Sequence, residues 1–319
     1  MKTKPLGALG RIEALASQIA TIKGNLNPKM ETCQLTIFAG DHGIAAEGVS
    51  AFPQEVTRQM VLNFVAGGAA ANVFANSTGA SLRVVDAGVA GDPFDIPGLI
   101  DQRVAPGTAS FLTRPAMTNE QRDEALAKGR ALGADGNWDA VAFGEMGIAN
   151  TSSATLLAHK ITGTDIDTLT GRGTGLDDAG LTAKAATLTR AAQRTGDLSA
   201  ADALAEYGGF EIAMMAGAMM GATAAGRCVI VDGFIATSAA LVAAHIEPAS
   251  RNAMIFAHKS QEQGHQTMLA ALKADPLLDL SLRLGEGTGA LLAWPLLQAA
   301  ARMLTDMASF EDAGVTGPA

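Results

Sequence analysis

Leu282-Arg-Leu-Gly-Glu-Gly-Thr-Gly-Ala290 sets one carboxylate, Glu286, among three glycines at alternate positions, Gly285, Gly287 and Gly289. Glycine lets a backbone approach a ligand closely and reach positive φ. The run opens into an apolar stretch, Leu291 to Met303, that reads as a helix. A helix N-terminus presents free N–H groups and the positive end of a dipole. An acid held there is a general base or a capping acid with no chemistry, and the run alone leaves the two readings even. A second acid, Glu145, stands between Gly144 and Gly147 directly after the apolar run Trp138–Phe143. It either accepts backbone N–H groups of the next turn or faces a site. An acid between glycines at a strand end serves no packing purpose, which favours the site.

Gly171-Arg-Gly-Thr-Gly175 reads as a phosphate loop. Its spacing is not that of a dinucleotide-binding fingerprint, and no convincing strand precedes it. Lys184, nine residues beyond Gly175, either supplies charge to the same phosphate or lies on a solvated helix face, the commoner fate of a lysine. Ser260, read as the N-cap of a helix over 261–272, would hydrogen-bond backbone or phosphate. His42, His258 and His265 match no compact ligand spacing, and no cysteine lies near them, so hydrogen-bonding roles are favoured over metal. The two cysteines, Cys33 and Cys228, are far apart and form no CxxC. They read as buried free thiols rather than a zinc site or disulfide framework.

Positioning these groups requires a set of strands and helices, and the hydrophobic pattern supplies it. An amphipathic helix is expected over 8–24. Strands are expected at 34–39, 81–86, 138–143, 227–232 and 252–257. Between them fall helices at 54–65, a second one running to about 78, then 119–133, 151–159, 178–192, 199–206, 210–226, 236–246 and 261–273, with a last helix running to about 307. Residues 89–117, with four prolines, read as loop. Strand–loop–helix alternation implies a mostly parallel, Rossmann-like α/β sheet with helices on both faces. Polar and glycine clusters fall at the strand ends: Asp41-His42, Asp86, Glu145, Asp232 and His258–Ser260. In an open α/β sheet such ends line one edge, where ligands bind.

The chain has 319 residues, 48% hydrophobic and 17% charged, which allows a substantial core and disfavours disorder. A net charge of −9 argues against a general nucleic-acid binder, though not against one small phosphorylated substrate. The N-terminus lacks a signal-peptide core, and the Ala/Gly/Met-rich stretch 212–226 is too short to span a bilayer. A cytoplasmic protein is expected, with Met214, Met215, Met219 and Met220 as core filler.

Taken together, Phe38–Ile44, Glu47–Thr57, Gly67–Ala70, Val85–Gly88, Gly144–Thr151, Gly171–Gly175, Gly208–Ile212, Val231–Ile235, His258–Glu262 and Leu282–Gly289 resemble the nicotinate-nucleotide:dimethylbenzimidazole phosphoribosyltransferase family, the CobT type. The resemblance runs from about residue 8 to 311. It departs at Ala149 and Ser152, where Gly and Thr are expected. It implies one catalytic unit: an α/β large domain over about 26–285, with residues of about 1–25 and 286–319 forming a small helical domain. It also implies a homodimer and no required metal or cofactor. The implied reaction moves the 5-phosphoribosyl group of nicotinate mononucleotide to 5,6-dimethylbenzimidazole with inversion at C1′. The products are nicotinate and α-ribazole 5′-phosphate, for the lower ligand of cobalamin.

Carried onto this sequence, the resemblance makes Glu286 the general base for the azole N–H and Glu145 a second acid supporting developing positive charge. Gly173, Gly175, Lys184 and Ser260 fall to the phosphate, and Asp232 and Gly233 to ribose and phosphate. Ser50, Phe52, Gln59 and Leu284 fall to the azole. Two other classes stay open: a non-catalytic nucleotide- or azole-binding module, and a nucleotide-dependent dehydrogenase, for which no true glycine fingerprint with an acid about 20 residues on is present.

Overall fold

The computed structural model describes residues 2–316. Six strands form one sheet in the order β3-β2-β1-β4-β5-β6. These are β1 (Cys33–Gly40), β2 (Ser81–Gly88), β3 (Leu99–Asp101), β4 (Ala140–Met146), β5 (Cys228–Val231) and β6 (Met254–Phe256). Every neighbouring pair is parallel. All eight residues of β1 are buried, as a central strand covered on both faces requires.

Side chains alternate across the strands and feed two cores. On one face Phe38, Val85, Phe143, Val229 and Val231 join a large apolar cluster. Helices α4 (Asn119–Ala134), α5 (Asn150–Thr162), α8 (Ala200–Tyr207), α9 (Phe210–Ala224) and α10 (Phe234–Ile246) complete it. Met214, Met215, Met219 and Met220 are buried there. On the other face Leu35, Ile37, Ala39, Ala142 and Ile230 pack with α1 (Arg11–Lys23), α2 (Glu55–Ala66), α3 (Ala70–Thr78) and α12 (Thr288–Thr305). Leu15 and Ile19 of α1 and Trp294 and Leu297 of α12 belong to the same cluster, so the two terminal helices share their core with the sheet. Three shorter or later helices complete the helical set: α6 (Ile166–Leu169), α7 (Asp178–Ala192) and α11 (His265–Ala271).

Most elements lie where the sequence places them. Three differ. The loop-rich stretch 89–117 contains the three-residue edge strand β3. Helix α6 supplies a turn where none is read. The helix expected from 261 begins at His265, because residues 260–264 form a turn closed by the Ser260 N–H donating to His265 Nδ1 (2.8 Å). Gly264, not Ser260, therefore occupies the N-cap. Both cysteines are buried free thiols. Among the described residues no helix is long and apolar enough to cross a membrane.

Candidate active site

The strand order reverses between β1 and β4, and a crevice opens there at the carboxyl ends of the strands. A cavity of about 680 Å³ lies at this edge, within the usual size of a small-molecule site. Glu145 from the end of β4, Asp232-Gly233 after β5, His258 and Ser260 after β6, and Leu284-Gly285-Glu286 ahead of α12 all line it.

Glu286 adopts φ +61, between Gly285 at +88 and Gly287 at +81. Three successive left-handed residues turn its side chain away from its own helix. The carboxylate is buried, and Oε2 accepts the Ala71 N–H at the start of α3 (3.4 Å). Both readings of this acid thus have a physical basis: it meets a helix N-terminus, though not that of α12, and it lines a cavity. Burial raises its pKa, the Ala71 N–H lowers it and the nearby Asp232 raises it.

The loops that carry Glu145 and Glu286 pack closely against each other. A Cβ on Gly285 would lie 2.2 Å from Glu145 Oε1, and one on Gly144 would lie 2.5 Å from the Glu286 carbonyl oxygen. Only glycines let these two loops close together. Glu145 Oε2 accepts Asn150 Nδ2–H from the first turn of α5. Burial pushes the Glu145 carboxyl up to about 8, with Asn150 opposing and the charges of Glu211 and Asp232 adding to the rise.

Asp232 accepts the Ala290 N–H on Oδ1 (2.9 Å) and the Gly287 N–H on Oδ2 (3.2 Å). It therefore caps α12 and fixes the segment that carries Glu286. His258 Nε2 lies 3.6 Å from Asp232 Oδ1. Burial raises the Asp232 pKa, with His258 opposing.

The cations gather at the Gly171–Gly175 loop. Lys184, from α7, is buried rather than solvated, with Nζ donating to Thr151 Oγ1 (2.8 Å) and Gly171 O (3.3 Å). It stands behind Thr151 and Gly173, which line the cavity. Burial lowers its pKa to about 8, opposed by Glu262. Arg283 Nη1 donates to Gly173 O (3.3 Å), tying this loop to the segment before Glu286. Gly175, at φ +116, is exposed beside the lining residues.

Another part of the wall is apolar, with Phe52, Val56, Met60 and Leu284. Phe52 and Leu284 are half-exposed at the mouth. Ser50 Oγ pairs with Thr174 Oγ1 (3.2 Å), joining that wall to the glycine loop. Gln59 is exposed on α2, outside the lining. The structure thus gathers Glu145, Glu286, Gly173, Asp232, Gly233, Ser260, Phe52 and Leu284 around one cavity, with Lys184 and Ser50 one layer behind. Asn150, Thr151 and Glu262 were not singled out in the sequence, although Asn150 and Thr151 sit in the run that follows Glu145. Ala149, the departure from the expected glycine, takes φ +75 at the N-cap of α5, a conformation costing a non-glycine residue about 1–3 kcal/mol.

Residues 1–315 match the model of a phosphoribosyltransferase family. A nicotinate-nucleotide–dimethylbenzimidazole phosphoribosyltransferase of Aromatoleum aromaticum is 57% identical over 318 residues, covering 98% of this chain and 92% of that protein. A protein of the same name from Dechloromonas aromatica is 53% identical, covering 99% and 92%. The crystal structure of CobT from Thermus thermophilus matches with a TM-score of 0.96 and 44% identity, covering 99% of this chain and 96% of that one. The chain belongs to the nicotinate-nucleotide–dimethylbenzimidazole phosphoribosyltransferase family.

Proposed function

We propose that this chain transfers the 5-phosphoribosyl group of nicotinate mononucleotide to 5,6-dimethylbenzimidazole, giving α-ribazole 5′-phosphate and nicotinate. The observation that carries the reading is that two buried acids, Glu286 and Glu145, line one cavity together with a glycine loop backed by Lys184 and a wall of apolar side chains. A ribosyl phosphate and a flat apolar base need those two walls, and the bond exchange at C1′ needs the acids beside them. Family membership sets aside the dehydrogenase reading.

Nicotinate leaves from a cationic pyridinium and takes the bonding electrons to its ring nitrogen, so it needs no proton. The azole is neutral. As one ring nitrogen attacks C1′, positive charge builds on the ring, and removal of the other nitrogen's proton relieves it. Glu286 takes that proton; its raised pKa makes it a stronger base than an exposed glutamate. Glu145, once ionised, supports positive charge on the ribose. Attack from the face opposite nicotinate inverts C1′.

In this proposal Gly173, Gly175, Lys184 and Ser260 hold the phosphate, and Asp232 and Gly233 border the ribose. Ser50, Phe52 and Leu284 bound the azole, with Gln59 at the outer edge of that subsite. The enzyme works as a cytoplasmic homodimer, with the terminal segments forming its small helical unit, as the family resemblance implies. A net charge of −9 fits small substrates rather than nucleic acid.

Incubating the chain with nicotinate mononucleotide and a panel of azoles, with mass detection of riboside phosphates, tests the reading. Product with 5,6-dimethylbenzimidazole is expected. Binding of both substrates with no product would instead favour a non-catalytic binding module.

A further inference from the structure

His258 follows β6, lines the cavity and is buried. Its backbone is tied down by a parallel bridge to Leu278. No step of the transfer chemistry above uses its side chain. Polar bonding does not fix the ring either. Nδ1 has no hydrogen-bond partner among the described residues, and Nε2 lies 3.6 Å from Asp232 Oδ1, beyond hydrogen-bond reach. A buried polar atom left without a partner costs about 1–3 kcal/mol, so hydrogen bonding gives no account of a histidine at this place.

Shape fixes the ring instead, and two glycines meet it. A Cβ on Gly289 would fall 2.0 Å from His258 Cδ2, 2.6 Å from Nε2 and 2.8 Å from Cγ. One on Gly233 would fall 3.1 Å from Nε2 and 3.5 Å from Cε1. Gly233 is the N-cap of α10, and Gly289 lies in the first turn of α12. One flat side chain from the end of β6 thus seats the starts of two helices. Glu286 stands three residues before Gly289, in the turn that opens α12. Asp232 grips that turn through the Gly287 and Ala290 N–H groups, and Leu35 packs against it at Gly287. The His258 ring meets it at a third point, Gly289.

We propose that His258 is a positioning residue for Glu286: its ring, pressed on Gly289, sets where the first turn of α12 docks and so where the carboxylate stands. Protein interiors are close-packed, and a side chain deleted from one leaves a void into which its neighbours partly relax. With the ring gone, the start of α12 is the neighbour that moves. A misplacement of about 1 Å at a reacting group costs up to about 10²-fold in rate. The contact is therefore felt when Glu286 takes the azole proton. The phosphate of the nucleotide is held by other residues, so binding of the nucleotide persists without it.

This inference rests on Glu286 as the base, and the test separates the two. kcat and KM are measured with nicotinate mononucleotide and 5,6-dimethylbenzimidazole for the wild type, His258→Ala, Glu286→Gln and the double variant. His258→Ala should lower kcat about 10-fold or more with KM for the nucleotide little changed. In the Glu286→Gln background the same substitution should lower kcat no further, because it acts through a carboxylate that is no longer there. His258→Asn keeps planar atoms at the places of Cγ and Cδ2, against Gly289, and should recover much of the lost rate. Equal kcat losses from His258→Ala in the two backgrounds would overturn the proposal. So would a lower Tm with wild-type kcat, or equal losses in His258→Asn and His258→Ala. If His258→Ala does not fold, Gly289→Ala, whose added methyl drives α12 off the ring, enters the same comparison with the same expectation. An unchanged kcat in Glu286→Gln alone would remove the base, and this inference with it, whatever His258→Ala does.

Discussion

Glu286 is one of four non-glycine residues at positive φ among those described, with Ala149, Lys273 and Ser281. Two of the four, Ser281 and Glu286, belong to the single segment that lines the cavity ahead of α12. Such backbone costs about 1–3 kcal/mol per residue and persists only where its surroundings enforce it. Here the Asp232 cap on Gly287 and Ala290 enforces it. At the same scale, the buried Lys184 is held by Thr151 and Gly171. Lys184→Ala should raise KM for nicotinate mononucleotide about 10-fold or more, as loss of a charge-assisted hydrogen bond does, with little change in KM for the azole. Equal losses for both substrates would remove Lys184 from the phosphate. Glu145 makes a prediction about pH. Its folded pKa of about 8 lies above the ordinary glutamate value of 4.5, so the folded state holds a proton that the unfolded chain loses. Its contribution to stability is complete below about pH 4.5 and is lost as pH rises through about 8. Melting of wild type and Glu145→Gln across that window should show the wild type losing Tm relative to the variant as pH rises; parallel curves would show that Glu145 ionises normally.

At the scale of elements, the sequence pattern was most legible where a buried strand runs into a glycine turn. β1, β2, β4, β5 and β6 each end near the polar cluster read from the sequence. β3 was not legible because three half-exposed residues at a sheet edge carry almost no hydrophobic period. The late start of α11 was hidden because the turn before it is closed by a histidine side chain. The site's wiring was hidden for another reason: Ala71 and Glu286 are 215 residues apart, and Lys184 and Thr151 are 33 apart. No local pattern reports such contacts, so the acids were visible and their partners were not. Gly287 shows how tightly one element seats another. It has φ +81, and an added Cβ would lie 2.4 Å from Leu35 Cδ1 on β1. Gly287→Ala should destabilise the fold by on the order of 2 kcal/mol, combining strain with a core clash, and should lower kcat by displacing Glu286. A variant with wild-type Tm and rate would show that this turn has slack.

For the whole molecule, two cores on opposite faces of one sheet hold a crevice open at the strand-order reversal. Both ends of the chain close on the same face. Lys2 bridges Ser309, and α1 packs with α12 over the sheet. Trp294, among the largest fully buried side chains, lies in that shared core. Trp294→Ala should cost about 3–5 kcal/mol, measured by denaturant unfolding, and the loss should reach the site because α12 begins at the turn bearing Glu286. A loss below about 1 kcal/mol would mean that the terminal helices are weakly coupled to the sheet. In the proposed reaction the whole architecture serves to hold one carboxylate, that of Glu286, against an azole proton. The most direct test of that role is kcat for Glu286→Gln with nicotinate mononucleotide and 5,6-dimethylbenzimidazole. Turnover should fall about 10²-fold or more while nucleotide binding persists; an unchanged kcat would contradict the role.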